Sequence, residues 1–168
     1  PGARPDAARV AARLALGLWD SLPDEPLARA AAAGGLRTRV EVAAEATRML
    51  ADPKAREWLR TFFRQWLHYE RFPVEGYSWP FLGTITRAHL HDDAAEELDR
   101  FIDAIVWTEG GSYRDLLTSR RVFSDSQAIR QIYGLPKEPS SSPEQLPANH
   151  AGILTRVALL AQGFDDAS

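Results

Sequence analysis

DPKAREWLRTFFRQWLHYERF, residues 52–72, is the stretch that decides the fold of this chain. Asp52 followed by Pro53 marks a helix start, because the aspartate accepts from free N–H groups of the first turn and proline loses no hydrogen bond at the first helical position. Apolar side chains then recur at steps of four and three residues: Ala55, Leu59, Phe62, Trp66 and Tyr69. This period predicts an amphipathic helix over 53–71 with one large apolar face.

The opposite side of this predicted helix is polar. Its members recur at the same steps: Lys54, Glu57, Thr61, Arg64, His68 and Arg71. Trp58 and Phe63 widen the apolar face, so we expect the helix to contact neighbours on two sides. Burial of one aromatic side chain contributes about 2–3 kcal/mol, which would make this helix a main part of the core. A ligand cage would also use aromatic residues, but aromatic residues at helical spacing are more typical of packing on protein.

The composition of the chain limits its function. The chain has 168 residues, of which 45% are hydrophobic. This length and composition are sufficient for one domain with its own core, or for two small units that share a core. The absence of cysteine excludes disulfides, thiolate metal sites and covalent haem attachment within this sequence. A net charge of −3, with arginine spread along the predicted helices, argues against nucleic acid as the main partner. No apolar run approaches the roughly 20 residues of a membrane span, and no secretory segment opens the chain, so we expect an internal or processed piece.

Helix signals recur along the rest of the chain. Capping patterns are present at Asp24, at Thr38 with Glu41, and at Ser112 with Asp115. Further helices are predicted at about 6–19, 26–33, 38–50, 92–108 and 152–162, with two short helices capped by Ser112 and Ser124. No strand pattern exceeds a few residues. The sequence therefore predicts an all-α fold, an irregular orthogonal bundle of about seven or eight helices with a long aromatic loop.

Apolar periodicity also predicts which side chains face inward. For the first helix these are Val10, Leu14, Leu18 and Trp19, and for the third they are Val42, Ala46, Met49 and Leu50. The fifth presents Leu98, Phe101, Ile102, Ile105 and Val106. The last is apolar enough to be buried, through Ile153, Leu154, Val157, Leu160 and Ala161. Acidic residues between 92 and 97 are expected in the first turns of the fifth helix, where the helix dipole favours negative charge.

We predict two helical units. The first covers 1–88 and is centred on helix 53–71, and the second covers 89–168 and packs on the first. Within the second, 135–150 contains four prolines and a run of three serines, which is typical of a linker or a mobile excursion.

The predicted loop, residues 72–85, is the best candidate for a partner surface. It combines proline and glycine with several aromatic residues, so it either covers the core or binds another molecule. Under the second interpretation, the partner-binding residues are Tyr77, Trp79 and Phe81, with His68 nearby.

No pattern in the sequence assembles a catalytic site. His89 and His91 are weak candidates for metal ligands, since two residues of separation directs them to different faces of a helix, although a loop or strand would let them share a metal with Asp92. The glycine pairs at 34–35 and 110–111 are helix stops and fit no phosphate-binding spacing. We therefore predict no catalytic residues, no metal site and no cofactor within these residues.

Four segments of the chain together resemble a known family. They are ARLALGLWDSLPDEPL (12–27), RMLADPKAREWLRTFFRQWL (48–67), FIDAIVWTEGGSYRDLLTSRRVFSDSQAIRQIYG (101–134) and AGILTRVALLAQGFDDAS (151–168). In this order they resemble two adjoining domains of unknown function from planctomycete- and myxobacterial-type exported surface proteins, the planctomycete surface-type or cytochrome-associated domains. The fairly specific motifs are WDSLPDEPL (19–27), MLADP (49–53) and RDLLT (114–118). The family pattern continues beyond a stretch like Asp165 to Ser168, so the second unit is expected to be truncated at its C-terminus.

The resemblance implies a periplasmic or cell-surface location and a larger multidomain protein linked to c-type cytochrome modules. The expected partners are therefore proteins: other domains of the parent chain or a c-type cytochrome. The first hypothesis is a non-enzymatic structural or interaction module. Two others stay open: a substrate- or haem-partner domain of a redox or hydrolytic enzyme, and a subunit docked into a complex through its apolar C-terminal helix.

Overall fold

The computed structural model describes residues 6–69, 87–108, 110–140 and 144–161, with the backbone alone for 87 and 88. These residues form eight α-helices and confirm the predicted all-α fold. The α-helices are α1 (Ala7–Trp19), α2 (Glu25–Ala32), α3 (Arg39–Leu50), α4 (Pro53–Leu67), α5 (Arg87–Asp103), α6 (Tyr113–Thr118), α7 (Gln127–Ile132) and α8 (Val157–Leu160). A π-helical turn (Ala104–Thr108) follows α5, and a 3-10 helix (Ile153–Thr155) precedes α8. In this part of the chain, strand-like pairing is limited to one antiparallel bridge between Arg121 and Gln145.

The chain forms two compact units, Pro1–Phe62 and Phe63–Ser168, and the boundary between them falls within α4. The sequence-based division falls at residue 88. The segment just before it, 70–86, lies outside the described residues, so this division stays a prediction. Across the described ranges, no helix combines the length and the apolar composition that crossing a bilayer requires.

Small residues bring α1 close to α2 and α3 in the first unit. The buried positions of α1 are Ala11, Ala15 and Trp19, whereas the predicted stripe of Val10, Leu14 and Leu18 is only half-buried. Alanine lets neighbouring backbones approach, so the helix turns its alanine side inward instead of its larger aliphatic side chains. Trp19 donates from Nε1 to the carbonyl oxygen of Met49 at 2.9 Å, and both residues are buried. Leu50 is exposed, contrary to the prediction.

The capping signals at Asp24, Thr38 and Ser112 are confirmed. Asp24 accepts from the backbone N–H of Leu27 at 3.0 Å and begins α2. Thr38 and Glu41 form a reciprocal capping box at the start of α3, and Ser112 and Asp115 form a second one at the start of α6. The predicted cap at Ser124 is shifted, because α7 begins after Ser126 and the Ser124 hydroxyl accepts from the Ser126 N–H at 3.2 Å.

The central helix α4 ends at Leu67, four residues before the predicted end. His68 follows with a positive φ of 54°, a left-handed conformation that terminates a helix and that histidine adopts more readily than most residues. The buried aromatic side chain of the last turns is Phe63, whereas Phe62 and Trp66 are 42% and 58% exposed. The predicted inward face was therefore wrong at Phe62 and Trp66, because near the end of a helix the side on which neighbours pack, and not its periodicity, decides burial.

Helix α5 is the central element of the second unit. Its predicted inward face is confirmed at Leu98, Phe101 and Ile102, and the predicted Ile105, in the turn that follows, is buried as well. Its start was predicted too late, at Asp92 and not at Arg87, and its last predicted turn is the π-helical turn. This turn closes with a hydrogen bond of 2.8 Å from the Gly111 N–H to the Ile105 carbonyl.

The predicted helix over 152–162 is broken in two. The break lies at Arg156, whose ψ of 147° is extended. Ile153 and Val157 are buried as expected, but Leu154 and Leu160 are exposed, and Ala158 is buried although it was not predicted to be. Arg156 itself is fully buried, and the extended residue is what separates the 3-10 helix from α8 at the point where its side chain enters the core.

Candidate functional site

The sequence-based partner residues lie mostly outside the described part of the chain. Tyr77, Trp79 and Phe81 belong to the segment 70–86, so their role stays a prediction. His68 is described: it directly follows α4 with its left-handed backbone, and it is exposed.

Both candidate metal ligands lie on α5. His89 is exposed, and His91 places Nδ1 3.2 Å from Oδ1 of Asp92. Because they are two residues apart on a helix, their side chains diverge by about 200°. In the described ranges no group of three or more histidine, aspartate or glutamate side chains could hold a metal ion. The hypothesis of a shared metal therefore gains no third ligand from these ranges.

The structure instead brings together buried charges in the second unit. Arg156 donates from Nη1 to Oε1 of Glu97 at 2.7 Å, and the exposed fractions of the two side chains are 0% and 1%. The same guanidinium donates to the carbonyl oxygens of Arg121 and Ser119, at 3.0 and 3.2 Å. Tyr133 completes the cluster: its hydroxyl donates to Oε2 of Glu97 at 3.3 Å and accepts from the Val157 N–H at 3.0 Å.

The electrostatics of this cluster follow from its burial. Burial raises the pKa of Glu97, and the neighbouring Arg156 guanidinium opposes that rise. Burial also raises the pKa of the Tyr133 hydroxyl, with the Glu97 charge acting in the same direction. The guanidinium of Arg156 lies 4.0 Å from the ring centroid of Phe101, a cation–π contact. Its Nε is buried and has no hydrogen-bond partner among the described residues.

A small pocket of about 140 Å³ lies beside this cluster. It is lined by Asp93, Glu96, Glu97, Arg100, Phe123, Ser124, Asp125 and Ser126. Arg100 pairs with Glu96 at 2.6 Å and with Asp125 at 3.0 Å, while the Ser126 hydroxyl donates to Asp93. A buried carboxyl with a raised pKa can hold or release a proton at the edge of such a pocket.

A second buried arginine organises the segment after α7. Arg130 is 1% exposed and donates from Nε to the carbonyl of Pro136 at 2.7 Å and from Nη2 to that of Glu138 at 3.0 Å. It also pairs with both carboxylate oxygens of Glu144 at 2.8 Å. Leu146 further along is fully buried. The described parts of the proline-rich segment are thus held against α7.

A third charged group joins α4 to α5 inside the second unit. Asp99 accepts from the Tyr69 hydroxyl at 2.7 Å and pairs with Arg64. Burial raises the pKa of Tyr69, and the hydrogen bond to Asp99 adds to this effect. Arg64, predicted to face solvent, is half-buried because Asp99 engages its guanidinium.

Sequence reasoning missed these clusters. The acidic residues of α5 were assigned to its first turns, but α5 begins five residues earlier and has no acidic residue in its first turn. Glu97 and Asp99 are instead buried partners of arginine. The available signal was an arginine inside an apolar run, as for Arg156 in ILTRVALL and Arg130 in AIRQIY. A charge within such a run is buried only with a partner, and the partner lies far away in the sequence.

Comparison with known proteins gives a family without an activity. No curated protein and no solved structure matches the chain. One family model matches residues 6–135, more than half of the chain, and its description is PSD4, protein of unknown function (DUF1592). The chain therefore belongs to the DUF1592 (PSD4) family.

Proposed function

We propose that this chain is a non-enzymatic helical module of a larger exported or cell-surface protein, where it makes structural or protein–protein contacts alongside c-type cytochrome modules. The observation that carries the proposal is the set of partners that the two buried arginines bind. Arg156 engages one carboxylate and two backbone carbonyls of its own unit, and Arg130 engages one carboxylate and three. Such groups tie connecting segments to helices, which is the role of a scaffold. The export and cytochrome parts rest on the family resemblance of the four sequence segments.

A second candidate function is the substrate- or haem-partner domain of a redox or hydrolytic enzyme. It is favoured by Glu97, a buried carboxyl whose pKa is raised and which lines a pocket. Two facts weigh against it. Both carboxylate oxygens of Glu97 are engaged, by Arg156 and by Tyr133, and about 140 Å³ is small beside the several hundred Å³ of an ordinary ligand pocket.

The test uses the parent protein purified from its native host. Absorption spectra of the oxidised and dithionite-reduced protein are expected to show the Soret and α bands of c-type haem, carried by the parent or by a protein that purifies with it. A featureless visible spectrum would contradict the cytochrome association.

A variant at Trp79 separates the interaction role from a folding role. Trp79→Ala is expected to leave the helical circular dichroism unchanged and to reduce co-purification of the cytochrome, while Trp66→Ala serves as a control for the loss of an exposed indole. Loss of helical signal in the Trp79 variant would mean that this residue covers the core, and the interaction role would lose its support. To test the enzymatic alternative, Glu97→Gln is compared with the wild type: loss of a host phenotype without loss of thermal stability would favour catalysis.

A further inference from the structure

A second and larger pocket in the second unit has a different chemistry. It encloses about 490 Å³, within the range of small-molecule sites, and lies where α6 and the loop after it meet the bridge at Gln145. Its lining is Ile105, Gly111, Asp115, Thr118, Ser119, Arg120, Arg121 and Gln145. Three of these side chains are charged: Arg120, Arg121 and Asp115.

The backbone around Arg120 is fixed on both sides. Arg120 donates from Nε to the Leu146 carbonyl at 2.7 Å, and its own carbonyl accepts from the Leu146 N–H at 2.6 Å. The neighbouring carbonyls of Ser119 and Arg121 are held by the buried Arg156. The guanidinium of Arg120 is therefore positioned by its Nε and by a rigid loop before any ligand binds, which lowers the entropic cost of binding.

Donor groups remain available in this pocket. Among the described residues, no acceptor lies within hydrogen-bond distance of Nη1 or Nη2 of Arg120, and none engages the side-chain amide of Gln145. The Ser119 hydroxyl accepts from the Arg121 N–H at 3.5 Å, and within the same ranges no acceptor takes its proton. An arginine fork flanked by a hydroxyl and an amide matches an oxyanion, since the two N–H groups bind two oxygens in parallel and the other donors satisfy the remaining lone pairs.

We propose that the pocket around Arg120 binds a carboxylate group, with Arg120 as the bidentate donor and Ser119 and Gln145 as supporting donors. The charge of the pocket selects a monoanion over a phosphate dianion. Asp115 lies in the lining and stays ionised, because its hydrogen bonds to the Ser112 hydroxyl and N–H lower its pKa. Arg120 pairs with the single negative charge of a carboxylate, whereas a phosphate dianion would bring a second negative charge close to Asp115. The rest of the pocket accommodates the body of the acid.

The test is calorimetric titration of the 168-residue chain at constant ionic strength. The probes are acetate, succinate, inorganic phosphate, and an acetylated dipeptide with a free or an amidated C-terminus. Saturable binding of the carboxylates, and of the free but not the amidated dipeptide, is expected. Tighter binding of succinate would identify a free organic acid as the source of the carboxylate, and tighter binding of the dipeptide acid would identify a protein C-terminus.

Three variants locate the binding. Arg120→Gln is expected to weaken carboxylate binding by tenfold or more, and Ser119→Ala by about three- to tenfold, as for the loss of charge-assisted hydrogen bonds. Arg114→Gln removes the same charge from an exposed position on α6 that does not line the pocket, and should change binding less than twofold. Ser119→Ala keeps the hydrogen bonds of the Ser119 carbonyl and loses only the long contact of 3.5 Å from the Arg121 N–H, so it provides the test if Arg120→Gln fails to fold. Absence of saturable binding, tighter binding of phosphate than of any carboxylate, or equal binding by wild type and the folded variants would each overturn the proposal.

Discussion

Arg156 and Glu97 form a buried ion pair across 59 residues of sequence, with a distance of 2.7 Å between Nη1 and Oε1. A buried charge without its partner is far less stable than the pair, because the protein interior solvates it poorly. The pair links α5 to the start of α8. It thus holds the end of the described chain to the central helix of the second unit.

The first prediction concerns this pair. Glu97→Leu leaves the Arg156 charge buried and is expected to reduce the free energy of unfolding by about 3–5 kcal/mol. Adding Arg156→Met removes that charge, so the double variant should be more stable than the sum of the two single variants implies. Urea unfolding of the four proteins measures the coupling. Glu96→Leu, one position away and exposed, is the control and should cost less than about 1 kcal/mol. Additive effects of the two buried substitutions would contradict the pairing.

The second prediction is a pH dependence in the first unit. Hydrogen bonds from Arg48 lower the pKa of Asp24 below its usual 3.8, through contacts of 2.9 and 3.1 Å. Near these pH values Asp24 binds fewer protons in the folded state than in the unfolded state. The contribution of its charge to the free energy of unfolding is therefore present above pH 3.8 and is lost as pH falls through the depressed pKa. Asp24→Asn keeps the cap but loses the charge. It should be less stable than wild type by about 1 kcal/mol at neutral pH, because the pair is partly solvated.

Urea midpoints of wild type and Asp24→Asn between about pH 2 and pH 7 test this dependence. The difference in urea midpoint between wild type and Asp24→Asn should become small at the acid end of this range. Glu25→Gln, which breaks an exposed pair with Arg29, is the control and should show a small gap at neutral pH. A gap of constant size down to pH 2 would show that the charge of Asp24 does not contribute.

The third prediction concerns Gly152, which has a positive φ of 75° and lies against α6. A Cβ atom there would be 2.0 Å from the carbonyl oxygen of Leu117, a clash with backbone that cannot rotate away. We expect Gly152→Ala to cost more than about 3 kcal/mol or to prevent folding of the second unit. Gly134→Ala has a similar φ of 73° but open space, so it should cost only about 1 kcal/mol of backbone strain.

Gly17→Ala is the third variant of this series, and thermal unfolding measures the stability of all three. Gly17 lies within α1 with no neighbour near an added Cβ, so alanine should stabilise the chain by about 0.5–1 kcal/mol. The ranking of the three variants separates contact from strain. Equal effects at Gly152 and Gly134 would mean that the close approach to Leu117 is not a constraint.

The fourth prediction concerns the segment that Arg130 holds. Arg130→Met removes the hydrogen bonds to the Pro136 and Glu138 carbonyls and the pair with Glu144. The segment should then open more often, and a lysine-specific protease should cleave after Lys137 at least tenfold faster than in wild type. Cleavage after Lys54, in the first turn of α4, is the internal reference.

Gln127→Ala is the matched control for this experiment. It removes an exposed hydrogen bond of 3.0 Å to the Glu138 side chain and leaves Arg130 in place. Its cleavage rate after Lys137 should stay within about twofold of wild type. Equal rates for Arg130→Met and wild type would mean that other contacts hold the segment.

The sequence determined the local features. The caps at Asp24, Thr38 and Ser112 and the apolar face of α5 were correctly predicted, because each depends on residues within one or two turns of each other. The fold class follows from the same signals, since repeated caps and a helical period leave no other regular structure.

Tertiary structure decided which side of a helix is buried and where charges lie. Phe63, and not Trp66, is the buried aromatic residue near the end of α4, and periodicity alone did not distinguish them. Glu97 is buried with a partner 59 residues away, which no local pattern contains. The same contact draws Arg156 into the core, where an extended residue interrupts what the sequence presents as one apolar helix. Long-range pairing decides these features because the free energy of a buried charge depends on the partner that the fold brings to it.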